Sequence, residues 1–84
     1  MIYYTYLLKS ISPGTKKTYA GYTLNLKERL KKHNSNNGAK STKGRKWKII
    51  YTKSFKTKKE AMSYEYKLKK DKLYRKNIIQ NYSV

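Results

Sequence analysis

Tyr3-Tyr4-Thr5-Tyr6-Leu7-Leu8-Lys9, then Ser12-Pro13-Gly14, then Thr18-Tyr19-Ala20-Gly21-Tyr22: this opening stretch decides the fold. Runs rich in tyrosine, threonine and leucine favour extended backbone, and Pro-Gly between them favours a turn. Residues 3–9 and 18–22 are therefore predicted to form a β-hairpin. Side chains alternate along a strand, so Tyr4, Tyr6 and Leu8 share one face while Tyr3, Thr5 and Leu7 share the other. Gly21, inside the second strand, signals close backbone approach or a bulge.

Downstream, Thr23 reads as the N-cap of a helix over about residues 24–34. Leu26 and Leu30 form its apolar stripe at i,i+4. Arg29 and His33 form a second i,i+4 pair at the edge of that stripe, where a helix meets both core and solvent. Asn34-Ser35-Asn36-Asn37-Gly38 ends the helix, and Gly38 through Lys46 is a basic loop. Residues 47–55 predict a third strand with Trp47, Ile49 and Tyr51 on one face. Thr57 and Glu60 make a capping box that opens a second helix to about residue 70. Its buried stripe is Ala61, Tyr64, Glu65 and Leu68. Residues 72–82 predict a weaker helix with Tyr74, Ile78 and Tyr82 on one side. The expected class is α+β, a small three-stranded antiparallel sheet flanked by helices.

The 84 residues fit one domain, 1–84. A chain this short buries only about 60% of its unfolded surface, so its core is thin. Ten of the twelve aromatics are tyrosine, which packs its ring while keeping its hydroxyl wet. Twenty-two Lys and Arg against four acids leave a net charge of +18. Such self-repulsion points to a polyanionic partner, nucleic acid first and anionic membrane second. Compositional lysine bias accounts for part of the excess but not for the scarcity of acids. No cysteine is present, which excludes disulfides and thiolate zinc sites and suits a reducing, cytoplasmic setting. The first eight residues lack the basic start and long apolar run of a signal peptide. No stretch is long and apolar enough to be a membrane span.

Glu65 is the sharpest single clue. A carboxylate on an apolar helical face is costly unless it is paired or bound to a cation. Among buried acids a structural salt bridge is the commoner outcome; the functional reading is a ligand for Mg²⁺, which needs only one or two protein carboxylates beside substrate phosphates. Arg29 and His33 are either solvated helix residues or, respectively, a charge neutraliser for a pentavalent phosphate and a proton-transfer partner for a phenol. Tyr6 and Tyr19 are either cross-strand packing or proton-handling phenols. Phenolate formation, rare at neutral pH, is favoured by a cationic pocket. In the basic loop, Lys40, Lys43, Arg45, Lys46 and Lys48 alternate with small residues, a pattern that lets backbone and side chains approach phosphates.

As an ordered set, these residues resemble the GIY-YIG nuclease family over roughly residues 3–70. Tyr4-Thr5-Tyr6 stands where that family has Gly-Ile-Tyr, and Tyr19-Ala20-Gly21 where it has Tyr-Ile-Gly. The segment from Leu26 to Asn34 resembles its arginine-bearing helix, and Tyr64-Glu65-Tyr66-Lys67-Leu68-Lys69 its glutamate helix. The run from Gly38 to Arg45 resembles the basic loop of the compact branch akin to the catalytic module of junction-cutting nucleases. The resemblance implies hydrolysis of DNA with one divalent ion, Mg²⁺ or Mn²⁺. It makes Tyr6 the general base, Tyr19 the positioner of water or phosphate, Arg29 the transition-state stabiliser, His33 an assistant to the tyrosines and Glu65 the metal ligand. Tyr4, Thr5 and Ala20 depart from the family's tripeptides, but none of the replaced groups handles protons. A late Asn seen in some members has only Asn77 and Asn81 as candidates. The zinc module of the junction-cutting branch requires cysteines, so its substrate choice does not carry over.

Two expectations follow. The first is a small endonuclease acting on DNA, branched or damaged DNA included, as in repair or recombination, and gripping it mainly through the backbone. The second is a non-catalytic DNA- or RNA-binding module whose tyrosines are core or stacking platforms. A membrane-surface role ranks below both, because no helix has a broad apolar face.

Overall fold

The computed structural model describes residues 1–11, 17–35, 44 and 46–82, with Tyr82 described by its backbone. The elements run β1 (Tyr3–Ser10), β2 (Thr18–Thr23), α1 (Leu26–Asn34), β3 (Trp47–Phe55), α2 (Lys58–Lys70) and α3 (Lys72–Tyr82). The three strands form one antiparallel sheet in the order β2-β1-β3. The predicted hairpin, third strand and helices are all present, so the fold is α+β. The turn at Ser12-Pro13-Gly14 lies outside the described residues.

Because β1 is central, it is covered on both faces, and Thr5, Tyr6, Leu7 and Leu8 are all buried. The two faces carry separate cores. On one, Tyr6, Leu8 and Trp47 pack with Tyr19, Ile49 and the α1 stripe of Leu26 and Leu30. On the other, Leu7, Ala20, Ile50 and Leu68 pack with Tyr51, Tyr64, Tyr74, Ile78 and Ile79. The sheet is thus sandwiched between α1 and the α2–α3 pair. Full burial of leucines such as Leu7, Leu8 and Leu68 stabilises the domain by about 1.5–3 kcal/mol each.

Three local expectations are corrected. The α1 N-cap is Asn25, not Thr23: Asn25 Oδ1 accepts the Glu28 N–H at 3.1 Å. Thr23 instead stays in the β ladder opposite Tyr4 and accepts the Asn25 N–H with its hydroxyl at 3.1 Å. On β3, Tyr51 does not share a face with Trp47 and Ile49. The β1–β3 register steps from Leu7↔Tyr51 to Leu8↔Ile49, so an extra residue, Ile50, interrupts the alternation. Tyr51 and Ile50 therefore join the α2–α3 core while Trp47 and Ile49 join the α1 core. Finally, His33 is not at the stripe's edge but buried, at 1% exposure.

Helix α2 is seated by its ends and its underside. Thr57 is the expected N-cap and accepts the Glu60 N–H at 3.2 Å, but Glu60 Oε1 closes the loop on the Thr57 hydroxyl, which donates to it at 2.9 Å, where a capping box would use the Thr57 backbone N–H. Its C-terminal carbonyls, Leu68 O and Lys69 O, each accept from Arg75 Nη1 at 3.1 Å. Between the ends, the Thr5 hydroxyl donates to Ala61 O at 2.7 Å, a buried tie from the central strand to the helix.

Candidate active site

An open cleft of about 580 Å³ lies where β1, β2, α1 and α2 meet, and Tyr6, Tyr19, Gly21, Arg29, Lys58 and Glu65 line it. Each arrives from a different constraint. Tyr6 pairs with Gly21 and Leu8 with Tyr19 in the hairpin register, so the two phenols are diagonal neighbours on one face, ring centroids 6.4 Å apart. Gly21 leaves the space that the Tyr6 ring fills: a Cβ there would fall 2.6 Å from Tyr6 Cζ and 3.2 Å from Tyr19 Cε2. The expected close approach at this glycine is therefore a side chain lying over bare backbone. Arg29 points into the cleft because Leu26 and Leu30, on the adjoining face of α1, dock on the sheet. Glu65 reaches the same cleft from α2, one helical position beyond Tyr64 and two turns after Lys58, while Ala61 and Leu68 pack beneath.

His33 sits behind Tyr6. Its Nε2 lies 3.0 Å from the Tyr6 hydroxyl, and its ring stacks near Tyr19 with centroids 4.9 Å apart. Burial, with the nearby Arg29 cation, pushes the imidazole pKa below its ordinary value. Burial also pushes the Tyr6 phenol well above the ordinary tyrosine range; Tyr19 and Glu65 add to the rise and Arg29 opposes it. A neutral imidazole and a protonated phenol share this hydrogen bond, and in the tautomer that leaves Nε2 bare the Tyr6 hydroxyl donates to it. The resting Tyr6 is thus not the phenolate that a cationic pocket was expected to favour, because loss of hydration outweighs the Arg29 attraction. Tyr19, Arg29 and Glu65 thus each act on the Tyr6 phenol across the cleft they share with it.

Glu65 forms the salt bridge that is the commoner outcome for such an acid: its Oε1 accepts from Lys69 Nζ at 2.8 Å, and the side chain remains 17% exposed within the cleft. A carboxylate oxygen is the donor type a hard divalent ion takes, and such an ion would compete with Lys69 for it. Among the described residues no three His, Cys, Asp or Glu side chains gather, so a Mg²⁺ ion at Glu65 would draw most of its ligands from water and substrate phosphate. That fits Mg²⁺ chemistry better than it fits a closed protein cage.

The basic loop is only partly in view. Lys40, Lys43 and Arg45 lie outside the described residues. Lys46 and Lys48 are exposed, and Lys46 Nζ donates to Asn34 O at 3.3 Å. Asn77 and Asn81 are exposed on α3 and do not line the cleft. Sequence reasoning missed Lys58 and Lys69. Their spacing from Glu65, seven residues before and four after, is the signal that places them beside it on the helix.

The comparisons with known proteins decide the family. The model of the GIY-YIG catalytic domain matches residues 2–78. The chain belongs to the GIY-YIG family. It is similar to a UPF0213 protein of Bacillus licheniformis, 53% identical over 60 residues, a stretch covering 70% of this chain and 60% of that protein. To a UPF0213 protein of Oceanobacillus iheyensis it is 41% identical over 68 residues, covering 80% of this chain and 76% of the relative. The solution NMR structure of a UPF0213 protein from Bacillus halodurans matches with a TM-score of 0.56 at 34% identity, covering 95% of this chain and 84% of that one. The matched stretch amounts to less than two thirds of the first relative's length.

Proposed function

We propose that the chain is an endonuclease that hydrolyses DNA phosphodiester bonds with the help of one divalent ion, Mg²⁺ or Mn²⁺. The observation that carries this reading is the convergence of Tyr6, Tyr19, Arg29 and Glu65 on one cleft, with His33 hydrogen-bonded behind Tyr6. Water attacks phosphorus, the P–O bond breaks with its electron pair going to the leaving oxygen, which takes a proton from solvent, and the attacking water must lose a proton. A protonated Tyr6 can take that proton only by passing its own to another base. The neutral His33 Nε2 at 3.0 Å is that base, so the pair works as a relay: water to Tyr6 oxygen, Tyr6 hydroxyl to His33. Tyr19 orients water or phosphate, and the Arg29 guanidinium offsets the charge that builds on the phosphoryl oxygens. Glu65 would hold the divalent ion, which supplies Lewis-acid polarisation of the phosphate. Lys58, on the cleft wall, together with the basic loop residues Lys40, Lys43, Arg45, Lys46 and Lys48, binds flanking phosphates.

The test is incubation of the chain with supercoiled, forked, flapped and single-stranded DNA in Mg²⁺ and in EDTA. The reading expects metal-dependent nicking that Tyr6→Phe and Arg29→Ala abolish while DNA binding persists. One observation favours the rival, a binding module that grips nucleic acid without cutting: the Lys69 ammonium already occupies the Glu65 carboxylate. Binding with no cleavage on any of these substrates would select that rival.

A further inference from the structure

We propose that the crest and far flank of α2 bind the part of a nucleic-acid strand that extends beyond the cleft. This rests on the nuclease reading for the identity of the partner. Along α2, Lys58 and Glu65 face the catalytic cleft, whereas Lys59, Ser63 and Lys67 face a second cleft of about 460 Å³ that Phe55 and Tyr64 also line. Adjacent residues, Lys58 with Lys59 and Glu65 with Tyr64, thus turn to opposite sides of one helix. Between the flanks, at i,i+4, stand Met62 and Tyr66, 46% and 63% exposed. A helix with its side chains is only ~10–12 Å across, so a strand leaving one cleft needs few nucleotides to reach the other.

The second cleft has the chemistry for that strand. Phe55 and Tyr64 approach with ring centroids 5.4 Å apart. Tyr64 is held by a hydroxyl relay, 2.8 Å to Tyr51 and 2.6 Å to Tyr74, which fixes its ring before any ligand arrives. Lysine amines hover over these rings instead of over acids. Lys53 Nζ is 4.9 Å from the Tyr64 centroid, Lys67 Nζ 4.6 Å from that of Tyr74, and Lys70 Nζ 5.6 Å from that of Tyr66. The acid of this cleft, Glu60, is engaged by the Thr57 hydroxyl. Among the described residues the ion pair joins Glu65 to Lys69, so Lys53, Lys59 and Lys67 remain available for phosphates. The exposed Tyr66 ring and the half-buried Phe55 and Tyr64 rings, flanked by cations that pair with no acid among the described residues, match what a nucleic-acid strand offers, a π-face beside each phosphate. An acidic or apolar protein partner would leave the alignment with the catalytic cleft unexplained.

Titration of the isotope-labelled chain with a short DNA oligonucleotide, without divalent metal, tests this by NMR. The expected result is movement of the Gly21 and Arg29 resonances together with upfield shifts of the Phe55, Tyr64 and Tyr66 ring protons, the mark of base stacking. Lys59→Gln with Lys67→Gln should weaken binding several-fold and leave the ring assignments of the free protein intact. If the catalytic-cleft resonances move while those rings stay fixed, the α2 surface is overturned and the nuclease reading survives. Ring shifts without cleft shifts would overturn the proposed continuity of the strand from cleft to α2, while leaving the nuclease reading to the cleavage assay. No shift anywhere overturns both the surface and the nuclease reading.

Discussion

At Gly21 one added methyl carbon would sit 2.6 Å from Tyr6 Cζ, and Tyr6 has nowhere to go. Its ring is buried at 2% exposure and its hydroxyl is bound to His33. The glycine is required by that close approach, not by an unusual backbone angle. Gly21→Ala should therefore break the Tyr6–His33 contact, costing about 1–3 kcal/mol by overpacking and slowing cleavage at least about tenfold through misplaced proton transfer; thermal melting and single-turnover rates check both. The relay also fixes a pH response. With the phenol held protonated and His33 held neutral, cleavage should be level between about pH 7 and 9 and fall on the acid side, below about 6.5, as His33 takes up a proton and stops accepting one. His33→Gln should remove that acid limb. A profile in the unaltered protein that keeps climbing from about pH 7 to 9 would contradict the relay.

Helices α1 and α2 deliver Arg29 and Glu65, so their anchors should matter without touching substrate. Asn25→Ala removes the α1 cap and should cost about 1 kcal/mol, measurable by urea unfolding. Thr5→Val removes the hydroxyl that ties β1 to Ala61 O; a loss of about 1 kcal/mol and a looser α2 are expected, read as faster amide exchange along α2, and unchanged exchange there would contradict the tie. At this scale the sequence was legible wherever one local signal dominated. The tyrosine-rich runs marked the hairpin, and Thr57 with Glu60 marked the start of α2. It misled where two signals competed. Thr23 and Asn25 are both good caps, and only the ladder to Tyr4 decides between them. On β3, alternation placed Tyr51 with Trp47, but an extra residue between paired positions, which no period-two pattern reveals, reverses it. For the site, Tyr6, Tyr19, Arg29 and Glu65 were legible as an ordered set. The burial of His33 was not, since it depends on how far α1 settles onto the sheet, whereas the Lys69 contact, an i,i+4 pair within α2, was written in the spacing.

For the whole molecule, two of the shifted groups, His33 and Tyr6, bound a stability window. The unfolded chain takes up a proton at His33 below its ordinary value of 6.5 while the folded chain resists it, so stability falls as pH drops below about 6.5. Above the ordinary tyrosine value of 10.0 the unfolded chain releases the Tyr6 proton and the folded chain keeps it, so stability falls again as pH rises past about 10. A plateau between these limits is expected in melting curves, and His33→Gln should flatten the acid side. The +18 charge predicts strong salt dependence: with ~6 phosphates neutralised on duplex DNA, log K should fall against log[salt] with a slope of about −5. A slope near zero would rule out backbone binding. The most direct measurement of all is single-turnover cleavage of DNA in Mg²⁺ by the unaltered chain and by Glu65→Gln, beside the DNA affinity of each. The account predicts metal-dependent cleavage that falls by about 100-fold or more in the variant, the scale of losing one electrostatic contributor at a reacting centre, at nearly unchanged affinity. Equal rates in the two proteins, or cleavage that persists in EDTA, would contradict it.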